Sequence, residues 1–168
     1  LAGLSDEEAR DRFYRTLSFG TAGLRGLMGM GLNGMNEYIV RQATDAFAQV
    51  ILESGQAEKG ICICYDCRIN SEFYAHEAAH VMRCCGIPVW LFRQCRPTPQ
   101  LSFAVRHFGA AAGINVTASH NPKAYNGYKV YWEGGAQLPT HMADKVAVKM
   151  AGIDPLAPRM ECEHPASL

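Results

Sequence analysis

Residues 61–92 read ICICYDCRIN SEFYAHEAAH VMRCCGIPVW LF, and this stretch decides the architecture. Ile61 to Tyr65 is a short apolar run bounded by a polar loop, the signature of a buried strand. Ser71 stands where a helix would be capped, with Tyr74, Ala78, Val81 and Cys85 in register along one face until Gly86. Ile87 to Phe92 is apolar again and reads as the next strand. Strand, helix, strand at this spacing implies a right-handed crossover and parallel pairing.

The same alternation continues downstream. Thr98 and Pro99 suit the cap and first position of a further helix that would pack Leu101, Val105 and Phe108 before Gly109. Ala112 to Thr117 is another strand. Asn126-Gly127 predicts a tight turn leading into Tyr128 to Trp132, an added antiparallel strand. A last helix is expected from Thr140 to near Met150. Upstream, Ser5 and Glu8 make a capping box for a helix with Ala9, Phe13 and Leu17 on one face. Phe19 to Gly34 is glycine-rich and reads as ordered loop with a short hairpin. Asn36 can cap a helix that buries Ile39, Ala43, Phe47 and Val50 and ends at Gly55. The fold expected is α/β, a mixed, mainly parallel sheet with flanking helices. One domain should span residues 1–152, with 153–168 a proline-bearing linker toward a second domain that these residues do not include.

Composition narrows the function. The 168 residues are 48% hydrophobic and 19% charged, ordinary for a globular domain. Sixteen basic and sixteen acidic side chains cancel, so no global field recruits nucleic acid or an acidic membrane surface. Any bound anion must be held locally. No apolar run nears the roughly 18 residues that cross a bilayer, and the start lacks a signal-peptide pattern. Seven irregularly spaced cysteines favour reduced thiols and a cytoplasmic setting.

Open α/β sheets bind ligands where strand carboxyl ends turn into loops. Asp66 and Arg68 follow one strand, Arg96 and Thr98 the next, and Ser119, His120 and Asn121 a third. A serine hydroxyl needs a base or nearby cations to act as a nucleophile, and His120, Lys129, Arg25 and Arg68 are the candidates. The same tetrapeptide is also an ordinary turn, with Asn121 forming an Asx turn before Pro122. Lys129 could be a partly desolvated base or merely the solvated half of a strand. The loop Phe19 to Gly26 could bring amides, Thr21 and the Arg25 guanidinium to a phosphate, although it matches neither the dinucleotide nor the Walker pattern. Cys64 and Cys67 are spaced as a Cys-x-x-Cys pair, but Cys64 falls in a strand and no second pair follows. His76 and His80 share a helical face without an acidic partner.

Taken together, Phe19-Gly-Thr-Ala-Gly-Leu-Arg-Gly26, Tyr65-Asp-Cys-Arg68, Pro97-Thr-Pro-Gln-Leu101, Thr117-Ala-Ser-His-Asn-Pro122 and Tyr125-Asn-Gly-Tyr-Lys129 resemble the α-D-phosphohexomutase superfamily, in the order and spacing of its first domain. The opening motif is most similar to the phosphoglucomutase branch that includes phosphopentomutases. The resemblance implies that Ser119 carries a phosphoryl group and passes it to a glucose, mannose or pentose phosphate through a bisphosphate. It implies Lys129 and His120 as acid/base candidates. Arg25, Thr21, Asn121 and Arg68 would contact phosphate, with Asn121 also ordering the loop and Asp66 and Arg68 also supporting it. A magnesium ion would be bound through the Ser119 phosphate. The family's Asp-Gly-Asp-x-Asp-Arg metal loop and its sugar- and phosphate-recognition loops, which lie in its domains II–IV, are not found in these residues. A polypeptide of these residues alone is therefore expected to fold without mutase turnover. Two other readings remain at this point: a serine hydrolase built on Ser119 and His120, and a stand-alone phosphosugar-binding module.

Overall fold

A computed structural model describes residues 3–157. The element order is α1 (Asp6–Tyr14), β1 (Leu24–Leu27), α2 (Glu37–Glu53), β2 (Ile61–Tyr65), α3 (Ser71–Cys84), β3 (Val89–Leu91), α4 (Thr98–His107), β4 (Ala112–Val116), β5 (Tyr125–Trp132) and α5 (Thr140–Ala151). The expected linker lies outside the described residues from position 158 onward.

The strands form one sheet in the order β1-β5-β4-β2-β3, with β2 parallel to both β3 and β4, and β5 antiparallel to β4 and β1. This is the mixed α/β sheet that the strand-helix alternation implies. Alternation of side chains divides it into two faces. Ile61, Ile63, Ile114, Val116, Tyr128 and Val130 join α2, α3 and α5 in the larger core. Cys62, Cys64 and Tyr131 meet Leu101, Ala104 and Val105 of α4 on the other face. Among the described helices α4 is the one that covers that second face, and it packs on β2 and β4. On β1 and β5 the same face presents Arg25, Leu27 and Lys129, which are exposed or half-buried.

Several local expectations change. The short hairpin expected between Phe19 and Gly34 is the tight turn closed by Gly20 and Gly23, whereas residues 24–27 are a strand that pairs with β5 about a hundred residues away. Glycine-rich sequence hides a strand whose ladder partner lies elsewhere. Asn126-Gly127 is not a turn: both residues lie inside β5, and Asn126 is fully buried. Its side-chain amide donates to the Ile69 carbonyl and to Ser71 Oγ at 3.0 Å each, which gives the asparagine a tertiary role. Ser71 is the first helical residue and Asn70, at φ 63°, precedes it as the cap. Likewise Pro97, not Thr98, caps α4. Helix α1 does form with its capping box, but it buries no residue and stops before Leu17. Strand β3 is shorter than Ile87 to Phe92, and Phe108 is exposed, stacked on Trp90 at 5.5 Å.

Asn36 both caps α2 through Ile39 N–H and ties down the glycine-rich segment by donating to the carbonyls of Gly29, Gly31 and Gly34. Gly23 is the tightest point of that segment. Its φ is +82°, and a Cβ there would overlap the Tyr128 carbonyl oxygen. Gly23→Ala should therefore push β1 off β5. We expect a local loss of about 2 kcal/mol, read as faster amide exchange across Leu24 to Leu27 with the β2–β4 amides unchanged.

Candidate active site

The chain leaves β2 outward to β3, crosses back over β2 to enter β4, and continues in that direction to β5, away from β2. Loops from the carboxyl ends of β2 and β4 thus diverge from adjacent strands, which opens the crevice where such sheets bind ligands. Asp66 to Asn70 line one side and Thr117 to Ala124 the other.

Ser119 lies in this crevice, solvent-exposed, with a left-handed backbone (φ 57°) that non-glycine residues adopt only when the surroundings enforce it. The enforcement is visible. Asp66 Oδ2 accepts from the Thr117 hydroxyl at 2.6 Å, and Thr117 Oγ1 in turn accepts from the Ser119 N–H at 3.0 Å. Asp66 Oδ1 accepts from Ser71 Oγ at 2.7 Å and from the Arg68 N–H at 2.9 Å. Asn126 holds Ser71, so a chain of hydrogen bonds runs from the buried sheet to the Ser119 amide. Such a chain stays ordered because nearly every member is satisfied.

Arg68 closes the loop from the opposite side. Its Nη2 donates to the carbonyls of Ser119 (2.7 Å) and Asn121 (2.6 Å), and its Nη1 to those of Pro122 (3.0 Å) and Tyr125 (3.2 Å). Nε lies 3.4 Å from Asp66 Oδ2. Both terminal nitrogens are thus committed to loop carbonyls, so Arg68 clamps the loop, in line with the supporting role the sequence suggested. Asn121 orders the loop, as the sequence suggested. Its side-chain amide donates to the Ala118 carbonyl at 2.9 Å, as does its own N–H at 3.1 Å.

The remaining candidates are less encumbered. Arg25 is exposed on β1, in register with Gly127, whose other neighbour is Thr117. The missing side chain of Gly127 leaves a bare floor between Thr117 and Arg25. A Cβ at that position would meet the Thr117 carbonyl oxygen at 2.6 Å. Lys129 is half-buried in the next row of the same face, opposite Asn115. Among the described residues it makes no hydrogen bond or ion pair. His120 is exposed beside Ser119, and Thr21 is exposed at the tip of the turn closed by Gly20 and Gly23. The sequence reading gave Thr117, Ser71 and Asn126 no individual role at the site. Their side-chain partners are loops far along the chain, which no local pattern reveals.

No group of three or more His, Cys, Asp or Glu side chains among the described residues could hold a metal ion. Near Ser119 the carboxylate of Asp66 is taken up by Thr117, Ser71 and the Arg68 amide. A hard divalent cation requires several oxygens, so these residues alone do not fit a magnesium site. The Cys64/Cys67 pair is no better suited to metal or redox work. Burial pushes the Cys64 thiol up to about 11 and that of Cys62 to about 12, which keeps both protonated at neutral pH. No described helix is long and apolar enough to cross a membrane.

Comparison with known proteins gives the same outline. A family profile described as "Phosphoglucomutase/phosphomannomutase, alpha/beta/alpha domain I" matches residues 16–156. A phosphopentomutase from Homo sapiens is 44% identical over 140 residues, which is 79% of this chain and 23% of the relative. A phosphoglucomutase from Staphylococcus epidermidis is 46% identical over 136 residues, 81% of this chain and 25% of the relative. The chain thus spans about a quarter of the length of these relatives. Among solved structures, a Thermus thermophilus protein described as a phosphomannomutase superposes with a TM-score of 0.75 at 29% identity, covering 81% of this chain and 30% of that one.

Proposed function

We propose, on the premise that this chain belongs to the phosphoglucomutase/phosphomannomutase family as its domain I, that it supplies the nucleophile of a phosphosugar mutase, with Ser119 accepting and returning the phosphoryl group. The observation that carries this reading is the enforced left-handed backbone at Ser119. Strain at an exposed serine, held by a network reaching the sheet interior, is difficult to account for unless the hydroxyl has to be presented.

The chemistry follows from the layout. In the acceptor direction, the Ser119 oxygen attacks a phosphorus of a sugar bisphosphate, its proton leaves to a base, and the sugar oxygen departs with the bonding pair. In the donor direction the phosphoserine loses its phosphoryl group to a hydroxyl of a sugar monophosphate. Phosphoryl transfer depends mainly on in-line positioning and on cations at the equatorial oxygens. Arg25, whose guanidinium is exposed on the open face, is placed to meet that charge, with Thr21 at the neighbouring turn. Lys129 and His120 are the acid/base candidates, and the amine has the better setting because it is half-buried on the same face. A magnesium ion would reach the Ser119 phosphate only with oxygen ligands from outside these residues. The preferred sugar, whether glucose, mannose or pentose, would be set by recognition elements that likewise lie outside them.

Incubating the chain with glucose 1,6-bisphosphate and magnesium tests the proposal. Mass spectrometry should find slow, stoichiometric phosphate on Ser119, without repeated turnover of glucose 1-phosphate. Phosphate on other side chains only, or on none, would remove the basis for the assignment. Lys129→Met should slow this labelling about 100-fold in a chain that still unfolds cooperatively, the effect typical of losing a general acid/base. An unchanged rate would take Lys129 out of the reaction and leave His120.

A further inference from the structure

Asn115 is 1% exposed in β4, yet its Oδ1 is a buried side-chain atom without a hydrogen-bond partner. Its Nδ2 donates to Thr98 Oγ1 at 2.7 Å, and that bond fixes the amide plane against the start of α4. A buried carbonyl oxygen left without a donor carries a desolvation cost, so a nearby donor is expected to use it. The surrounding groups can be taken in turn. Cys64, in register on β2, gives its thiol hydrogen to the Arg96 carbonyl. Thr117, two residues along β4, gives its hydroxyl to Asp66. The diagonal Tyr131 phenol accepts from Gln137, and it sits farther along β5, opposite Gly113 and not Asn115. Gly113 and Gly127, on the same face, have no side chains. Lys129 remains. It faces Asn115 directly across the β4–β5 ladder, on the same face of the sheet, and its amine has no partner among the described residues.

We infer that Asn115 is a positioning residue for Lys129: its Oδ1 accepts a hydrogen bond from the ammonium and fixes the amine on the face that also carries Thr117 and Arg25. Directly opposed residues of an antiparallel pair have their Cβ atoms about 5 Å apart, within reach of a lysine that folds back along the sheet. The bond is charge-assisted, and it removes the orphaned acceptor and the unanchored amine together. The purpose of holding the amine rests on the phosphoryl-transfer reading, whereas the contact itself can be measured without any reaction.

The test is the exchange of lysine ammonium hydrogens in the 168-residue chain labelled with 15Nζ-lysine. Lys129 should exchange about tenfold more slowly than exposed Lys123, as a charge-assisted hydrogen bond of ordinary strength requires. In Asn115→Leu the protection should vanish, and in Asn115→Asp it should return. Equal rates for Lys129 and Lys123 in the wild-type chain would overturn the inference, and that comparison needs no variant to fold. Protection that survives in a folded Asn115→Leu chain would also overturn it. Ser119 labelling on the same sample keeps the two ideas apart. Labelling without a protected amine removes only this contact, and a protected amine without labelling removes only the proposed reaction.

Discussion

Ser119→Ala should abolish phosphate incorporation from glucose 1,6-bisphosphate, with a residual signal about 1000-fold or more below wild type, because no other hydroxyl occupies the end of β4 in an enforced conformation. The effect should be chemical, not structural. Ser119 is exposed, and its backbone N–H bond to Thr117 Oγ1 does not involve the side chain. Alanine also tolerates the left-handed region about as poorly as serine, so stability should change by less than about 0.5 kcal/mol. Intact mass and thermal denaturation together make the check. Phosphate persisting in Ser119→Ala would mean that another residue is the acceptor, and the crevice between β2 and β4 would lose its assigned role.

Arg68→Ala should have the largest structural effect of any change at the site. It removes four charge-assisted bonds to the carbonyls of residues 119, 121, 122 and 125 and leaves Asp66 without its cationic neighbour. Water can replace part of this at the partly exposed loop, so the local loss should be about 4 kcal/mol, well below the sum for four isolated bonds. Faster amide exchange across residues 117–127, with helix α2 unaffected, would show that the loss is local. Ser119 labelling should fall about 100-fold, because a loop free to sample other conformations presents the nucleophile only part of the time. Arg68→Lys should recover little. A single ammonium cannot span four carbonyls that a planar guanidinium reaches from two nitrogens. If Arg68→Ala labels as fast as wild type, the clamp has no part in presenting Ser119.

Reading the chain from its pattern worked where local physics decides the outcome. The run Ile61 to Tyr65 became β2 with those bounds, because a short, wholly apolar segment between polar loops has few other stable options. Asn36 capped α2, and Gly55 and Gly86 ended helices with positive φ as glycine permits. The pattern misled where a residue's partner lies far along the chain. Asn126-Gly127 carries strong turn chemistry, but the buried contacts of Asn126 with Ile69 and Ser71 outweigh it and keep both residues in β5. Leu24 to Leu27 looks like loop because its strand character comes from pairing with Tyr125 to Tyr128. At the site, the residue types around Ser119 were legible, but their division of labour was not. Arg68 reads both as a phosphate ligand and as a support of the loop, and its four carbonyl contacts show how it supports it.

By itself, then, the sequence determined the α/β alternation, the glycine stops after α2 and α3 and the loop that carries Ser119, since each follows from hydrophobic period and capping within a few residues. The tertiary structure alone decided that Asp66, Thr117, Ser71 and Asn126 form one network, that Arg68 clamps the loop, and that Lys129 and Asn115 face each other. The contacts of Asp66 with Thr117, of Ser71 with Asn126 and of Arg68 with Asn121 join residues 51, 55 and 53 positions apart. Only strand register and the crossover between β2 and β4 bring such distant residues within hydrogen-bonding reach.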